Sequence, residues 1–115
     1  MADDCIFCKI ASGQIPSAVV YSDSEFHAFR DLHPLAPTHI LVVPRQHLEK
    51  VTDATAADEG LLGRLLLTAN KVAAQEGLSE NGFRLVINCG AWGGQAVYHL
   101  HMHILGGRKL EDALG

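Results

Sequence analysis

The amino-acid sequence predicts an α+β domain with a five-stranded antiparallel sheet, one long helix and a short N-terminal helix. Two observations carry this prediction. Five short runs rich in β-branched and apolar residues are joined mostly by short turns, and one longer stretch repeats its leucines and alanines at helical spacing. With 115 residues, the chain has the size of one domain covering residues 1–115.

The first element is a short helix in the stretch "DCIFCKIASG". Its apolar residues Ile6, Phe7 and Ile10 recur at helical spacing. Asp3 or Asp4 is expected to cap the N-terminus, because an aspartate side chain accepts hydrogen bonds from the first free backbone N–H groups. The glycine that closes the stretch predicts that the helix ends there.

The strands follow in two groups. "SAVVYSD" and "FHAFRD" predict a hairpin that turns at Ser24 and Glu25, and the two prolines of "HPLAP" predict a loop. "THILVVP" is β-branched and apolar, which predicts a buried strand that Pro44 ends. "GFRLVINCG" and "YHLHMHIL" predict the last two strands, with the loop "AWGGQAV" between them.

The long helix lies between these two groups of strands. Thr55 and Asp58 have the spacing of a capping box, in which each side chain hydrogen-bonds to the backbone of the other residue. Gly77 is expected to end the helix. The residues between them form one apolar stripe, consisting of Leu61, Leu62, Leu65, Leu66, Ala69, Val72 and Ala73.

Composition excludes some classes of partner. The formal net charge is −4, and there is no cluster of basic residues, so we expect no nucleic-acid partner. No segment has the length of a membrane-spanning helix, so we expect no membrane partner. The three cysteines are an odd number, and the acidic first residues are unlike a secretory signal. These features favour a cytoplasmic location.

The stretch "GGQAVYHLHMHI" carries the clearest chemical signal. On a strand, His99, His101 and His103 would point to one face, roughly 7 Å apart, with the intervening apolar residues facing the core. A metal site, a pH switch and a phosphate-handling site all use histidine clusters. The preceding loop favours phosphate, because the backbone N–H groups of residues 93–96 have little side-chain bulk around them. Imidazole also suits phosphoryl transfer as a nucleophile and leaving group.

These segments resemble a known family. "GGQAVYHLHMHILGGR", with "FRDLHPLAPTHILVVP" and "CIFCKI" upstream, is similar to the histidine triad (HIT) family, over nearly the whole chain. The ending "LGGR" resembles the Hint branch (histidine triad nucleotide-binding proteins) rather than the dinucleoside polyphosphate hydrolases. The resemblance implies a HIT fold whose sheet continues across a homodimer.

The resemblance also implies an activity. Proteins of this branch bind purine nucleoside monophosphates and cleave the P–N bond of nucleoside 5′-phosphoramidates through a nucleotidyl-histidine intermediate, with no cofactor required for the chemistry. His101 corresponds to the nucleophile, His103 to a phosphate contact, His99 to an orienting residue and His39 to a further supporting histidine. A nucleotide-binding regulatory module, a dinucleoside polyphosphate hydrolase and a zinc protein without catalysis remain as alternatives.

Nucleotide-binding residues follow from the same resemblance. Asp31 corresponds to the acid that binds the ribose hydroxyls, and Asn88 to an amide at the phosphate. Many related proteins have Ser or Thr where this chain has Ala96, so one hydroxyl contact is missing. Apolar positions around the base are Ile6, Phe7, Ile10, Phe29, Leu32 and Leu41, and the phosphate loop comprises Gly94, Gln95, Ala96 and Val97.

A structural zinc site is a further possibility. Cys5 and Cys8 form a C-x-x-C pair, which alone is weak evidence for any function. The resemblance supplies two more ligands, His47 and His99, which would complete a tetrahedral Cys₂His₂ set. Two buried thiols without a metal are the alternative, and Cys89 is expected to be a buried strand residue.

Overall fold

The structure is a computed structural model that describes residues 4–114. It confirms the α+β architecture, with five antiparallel strands, one long helix and a short N-terminal helix. In chain order the elements are α1 (Ile6–Ala11), β1 (Val19–Ser22), β2 (Phe26–Arg30), β3 (Thr38–Pro44), α2 (Glu59–Gln75), β4 (Arg84–Val86) and β5 (Met102–Gly106).

The sheet has the strand order β1-β2-β3-β5-β4, and every neighbouring pair is antiparallel. The last strand therefore lies between β3 and β4 rather than at an edge. Leu41 on β3 pairs with His103 on β5, and His39 pairs with Leu105. His39 and His103 are thus diagonal neighbours on one face of the sheet, because alternate residues of a strand share a face.

Each face of the sheet has its own apolar core. α2 covers one face, where Leu65, Val72 and other helix residues pack on Ile40, Met102 and Ile104. α1 covers the opposite face through a smaller cluster, consisting of Phe7, Ile10, Ala11, Phe29, Leu41 and Val43. His39 and His103 lie on the α1 face, so α1 is the element that borders the histidines.

The capping predictions hold for α2 and fail for α1. Thr55 and Asp58 form the predicted capping box, at a single 3₁₀ turn that leads into α2. Gly77 follows the helix with a φ of +76°, the left-handed conformation that ends helices. In α1 the cap is Cys5, whose thiol accepts from the N–H of Cys8. Asp4 was the wrong choice, and Asp3 lies outside the described residues.

The last two strands are shorter than predicted. β5 begins at Met102, so His99 and His101 precede the strand, and the N–H of Leu100 donates to Leu48 O at 2.7 Å. The predicted alternation survives this correction, since Leu100, Met102 and Ile104 are all buried in the α2 core.

β4 spans only Arg84–Val86, which leaves Asn88 and Cys89 outside the sheet. Gly90, with a φ of +72°, turns the chain away soon after. Cys89 is therefore a partly exposed loop residue and not the expected buried strand residue. No helix in residues 4–114 is both long and apolar enough to cross a membrane.

Candidate active site

His101 is buried beside α1 and holds a defined tautomer. Its Nδ1 lies 2.7 Å from the carbonyl oxygen of His99, which can only accept a hydrogen bond. The ring proton of neutral His101 is therefore on Nδ1, and Nε2 keeps its lone pair. Burial lowers the pKa of His101 below its ordinary value, so the ring is neutral at pH 7. Nε2 of His101 is thus a free base and a nucleophile.

His99 points away from the other two histidines of the motif. Its Nε2 lies 2.7 Å from the carbonyl oxygen of Pro44, so Nε2 carries the proton and Nδ1 holds a lone pair. That Nδ1 lies 3.2 Å from Cys5 Sγ and 3.4 Å from Cys8 Sγ. The expectation that all three imidazoles point to one face is therefore wrong for His99, whose side chain lies with Cys5 and Cys8, the cysteines with which it is also predicted to bind zinc.

His103 forms a pair with His39 instead. Nδ1 of His103 lies 2.9 Å from Nε2 of His39, and the same Nε2 lies 3.5 Å from Asp31 Oδ2. The His101 and His103 rings are 5.0 Å apart between centroids. Burial and the neighbouring histidines His101 and His39 lower the pKa of His103 to about 4, so it is also neutral at pH 7.

An apolar cavity of about 370 Å³ lies between α1, β2 and the loop before β5. All six residues predicted to surround the base line this cavity, and so do Asp31, Ala96 and Val97. The other lining residues were not predicted, because they lie in irregular segments and at a strand end, where no periodic pattern marks them. They are Ile15, Pro16, Ser17, Ala18, Arg30 and His33.

The glycine-rich loop is built differently from the prediction. A Cβ on Gly93 would collide with the backbone of Cys89, and Gly94 has a φ of +79°, so both positions require glycine. The N–H of Gly94 donates to Ala91 O at 3.2 Å, and that of Gln95 donates to Gly90 O at 3.0 Å. Neither group is free for a phosphate, contrary to the expectation.

Two polar side chains predicted to be near the phosphate stabilise the loop instead. The amide of Asn88 donates to Gly93 O at 2.8 Å. Buried Gln95 donates to the carbonyl oxygens of Glu49 and Val97 and accepts from the N–H of Gly90. Within the described part of the chain, Ala96 and Val97 donate to no other backbone group. Their N–H groups are therefore the donors that remain for an anion at the end of the cavity.

The cysteine cluster has the geometry of a metal site. The Cys5 and Cys8 thiols and Nδ1 of His47 and His99 all lie within 4.8 Å of one another. The two Nδ1 atoms are 3.2 Å apart, and Cys8 Sγ is 3.4 Å from each. Tetrahedral zinc with bonds of about 2.0–2.3 Å needs ligand separations of roughly 3.3–3.8 Å. The donors fit zinc in chemistry and in spacing.

The hydrogen bond behind His99 and the protonation of Cys8 also bear on metal binding. Pro44 O holds the proton of His99 on Nε2, which leaves Nδ1 as a ligand atom. Burial and the adjacent Cys5 thiol raise the pKa of Cys8 to about 11, so the metal-free thiol is protonated at pH 7. Metal binding at this cluster would displace that proton.

The comparisons with known proteins establish the family. The HIT domain model matches residues 12–110. A purine nucleoside phosphoramidase of Escherichia coli strain K12 is 51% identical over 114 residues, which cover 99% of this chain and 96% of that protein. The chain belongs to the HIT family.

Solved structures agree with this assignment. The crystal structure of a HIT family hydrolase from Legionella pneumophila Philadelphia 1 has a TM-score of 0.95 and 49% identity, over 97% of this chain and 100% of that chain. A Zn-bound histidine triad family protein from Mycobacterium smegmatis has a TM-score of 0.81 and 30% identity, over 100% of this chain and 82% of that chain.

Proposed function

We propose that this protein is a purine nucleoside phosphoramidase that cleaves the P–N bond of nucleoside 5′-phosphoramidates. The observation that carries the proposal is the tautomer of His101, whose Nδ1 proton is held by His99 O so that Nε2 is a free nucleophile. The similarity to a purine nucleoside phosphoramidase over nearly the whole chain supports the same reaction.

The cavity accounts for the substrate. Its apolar walls, including Phe7 and Phe29, accept a purine ring, and Asp31 at its margin accepts hydrogen bonds from the two ribose hydroxyls. The N–H groups of Ala96 and Val97 donate to the 5′-phosphoryl oxygens. His101 adjoins this cavity through Phe7, whose ring centroid lies 5.0 Å from that of His101, which supports an α-phosphorus beside His101.

The reaction then proceeds in two displacements. In the first, Nε2 of His101 attacks the phosphorus, the P–N bond to the leaving amine breaks, and the amine nitrogen keeps the electron pair and takes a proton from water. In the second, water attacks the phosphorus, the bond to Nε2 breaks with its electron pair returning to His101, and a proton goes to solvent. The products are the free amine and the nucleoside monophosphate.

One experiment separates this proposal from its alternatives. The protein is incubated with adenosine 5′-phosphoramidate and with a diadenosine polyphosphate, and both incubations are repeated with His101→Ala. We expect cleavage of the phosphoramidate, little cleavage of the polyphosphate and loss of activity in the variant. Faster cleavage of the polyphosphate would indicate a dinucleoside polyphosphate hydrolase, and nucleotide binding without cleavage would indicate a regulatory module.

Cys5, Cys8, His47 and His99 are proposed to hold a structural zinc ion. The spacing of their donor atoms supports this role, and a related histidine triad protein binds zinc. The ion would link α1 to the segment that precedes β5. Metal analysis of protein purified without chelator tests the proposal, and a zinc content far below one per chain would refute it.

The assembly is proposed to be a homodimer of single-domain chains in which the sheet continues across the interface. β4 lies at one edge of the sheet, so its outer backbone groups are available for pairing. α2 also exposes apolar surface, with the Leu67 side chain 65% exposed. Sedimentation of wild type and Leu67→Glu tests this, and a monomeric wild type would refute it.

A cytoplasmic location is proposed as well. Three cysteines that form no disulfide in residues 4–114 support it.

A further inference from the structure

The two cysteines of the C-x-x-C pair lie together at the start of α1. Cys5 is the N-cap of the helix, and its Sγ accepts a hydrogen bond from the N–H of Cys8 at 3.3 Å. Both side chains are partly exposed, and their sulfur atoms lie within 4.8 Å of each other. A Cys-x-x-Cys pair at a helix N-terminus is the arrangement in which two thiols are readily joined as a disulfide.

Solvent reaches Cys5 through a second cavity of about 360 Å³. Cys5 lines this cavity, and Cys8 does not. The second cavity adjoins the nucleotide cavity, because both are lined by Ile6, Ala96 and Val97. A small neutral oxidant such as hydrogen peroxide therefore meets Cys5 Sγ first, and Cys8 lies behind it in position to attack the oxidised sulfur.

α1 connects the cysteines to the nucleotide cavity. Ile6 and Phe7 lie between the two cysteines in the chain, and both line that cavity. The Phe7 ring meets the His101 ring edge-on, with centroids 5.0 Å apart and an interplanar angle of 90°, and it also packs on Phe29 at 5.5 Å. The turn of helix that carries the thiols is thus also the wall of the cavity and a neighbour of His101.

His99 connects the cysteines to His101 by a second path. Its Nδ1 lies 3.2 Å from Cys5 Sγ and 3.4 Å from Cys8 Sγ. Its carbonyl oxygen accepts the hydrogen bond from Nδ1 of His101 at 2.7 Å. A disulfide would remove two of the four zinc donors, because the sulfurs lose the negative charge that binds the metal. His99 and α1 would then no longer be held together.

We propose that Cys5 and Cys8 are an oxidation site, at which peroxide forms a disulfide, releases zinc and lowers the affinity of the protein for a nucleotide. This inference rests on the proposed nucleotide site and on the proposed zinc ion. It goes beyond both, because it makes nucleotide binding depend on the oxidation state of the two thiols.

The oxidation proceeds in two steps, with hydrogen peroxide as the oxidant. When bound to zinc, both sulfurs are thiolates, the form that reacts with peroxide. The Cys5 thiolate attacks one peroxide oxygen, the O–O bond breaks, and the products are a sulfenic acid on Cys5 and a hydroxide ion. The Cys8 thiolate then attacks the Cys5 sulfur, the S–OH bond breaks, and a second hydroxide ion leaves. The two thiolates lose two electrons, which reduce the peroxide to hydroxide.

The test uses the zinc-loaded protein with Cys89→Ser, which retains only the two cysteines of the pair. It is treated with hydrogen peroxide, zinc release is followed with a chromogenic chelator, and AMP binding is measured by calorimetry. We expect about one zinc released per chain and a disulfide between Cys5 and Cys8 in the mapped peptide. The Kd for AMP should rise about tenfold or more, the effect of losing one aromatic contact in the cavity. Dithiothreitol and added zinc should restore it.

Two controls assign the effect to the pair. Cys5→Ser combined with Cys8→Ser in the same background should bind AMP equally well with and without peroxide. Peptide mapping of the treated parent protein reports oxidation of Met102, the buried methionine that separates His101 from His103. A change in Kd that follows Met102 oxidation, or that dithiothreitol and zinc do not reverse, would overturn the proposal.

The outcomes also separate this inference from the two proposals on which it rests. A disulfide and zinc release with unchanged AMP affinity would overturn the inference alone, and so would thiols that stay reduced in millimolar peroxide. Protein that contains no zinc before treatment would refute the zinc site and the inference together. Because binding is measured rather than turnover, the expected response in a protein that cleaves no phosphoramidate would refute only the proposed activity.

Discussion

Replacing Asp31 by Asn tests how the site recognises ribose. Asp31 Oδ1 accepts from the N–H of His33 at 2.8 Å, and Oδ2 lies 3.5 Å from Nε2 of His39. A carboxylate has about four acceptor positions, so two remain for the ribose hydroxyls. Asn keeps one oxygen but replaces the other by a donor and removes the charge.

The expected loss of kcat/KM in Asp31→Asn is that of one hydrogen bond to a charged acceptor. Such a bond contributes about 1.5–3 kcal/mol, so kcat/KM for adenosine 5′-phosphoramidate should fall roughly 13- to 160-fold. Part of the loss has another origin, because the new amide donor would face Nε2–H of His39. The 2′,3′-dideoxy substrate measures that part alone, since it has no hydroxyls to lose.

The assay therefore compares two enzymes on two substrates. For wild type, removing both hydroxyls should lower kcat/KM strongly, whereas for Asp31→Asn the same change should have a much smaller effect. If the variant loses the same factor on both substrates, Asp31 does not act through the ribose, and the orientation of the nucleotide proposed above is wrong.

Four further outcomes are expected. Cys8→Ser should lower the free energy of unfolding in zinc by about 4 kcal/mol, and chelator should abolish the difference from wild type. Ala96→Ser should preserve turnover or raise it up to about fivefold, and a large fall would contradict the placement of Ala96. Leu65→Ala should cost about 2–5 kcal/mol in a urea titration, whereas exposed Leu35→Ala should cost about 0.5 or less. Burial lowers the pKa of His27, His39, His101 and His103, so the unfolded state binds more protons below pH 6.5; the melting temperature should fall from there towards pH 4, and a constant value would be contrary evidence.

The strands and the long helix were predictable because local pattern determines them. Runs of β-branched residues, and runs in which apolar and polar residues alternate, form the sheet. The apolar stripe of α2 packs against it. The capping box of Thr55 and Asp58 is a contact between residues three apart, so the sequence alone contains it. The cap of α1 was missed because a thiol, which is not a usual capping group, replaces the expected carboxylate.

The chemistry of the histidines was only partly predictable. The alternation of side chains along the predicted last strand correctly separated His101 and His103 from the α2 core. It also predicted that His99 points the same way as these two histidines, which it does not. The partners that fix the orientation and tautomer of each ring are backbone groups. They are Pro44 O for His99, from a distant segment, and the Leu35 N–H for His39, from the irregular loop before β3. No spacing rule reports such contacts. The loop donors were mispredicted likewise, because hydrogen bonds formed within the turn already use the N–H groups of Gly94 and Gln95.

The proposed mechanism requires that His101 becomes covalently nucleotidylated. It is tested most directly by mixing the protein with adenosine 5′-phosphoramidate, quenching within the first turnover in alkaline denaturant, and mapping the modified peptide by mass spectrometry. We expect an adenylate on His101 that is absent from His101→Ala and decays as the monophosphate appears. An adenylate on His99 or His103, or full turnover with no adduct during the pre-steady state, would contradict it.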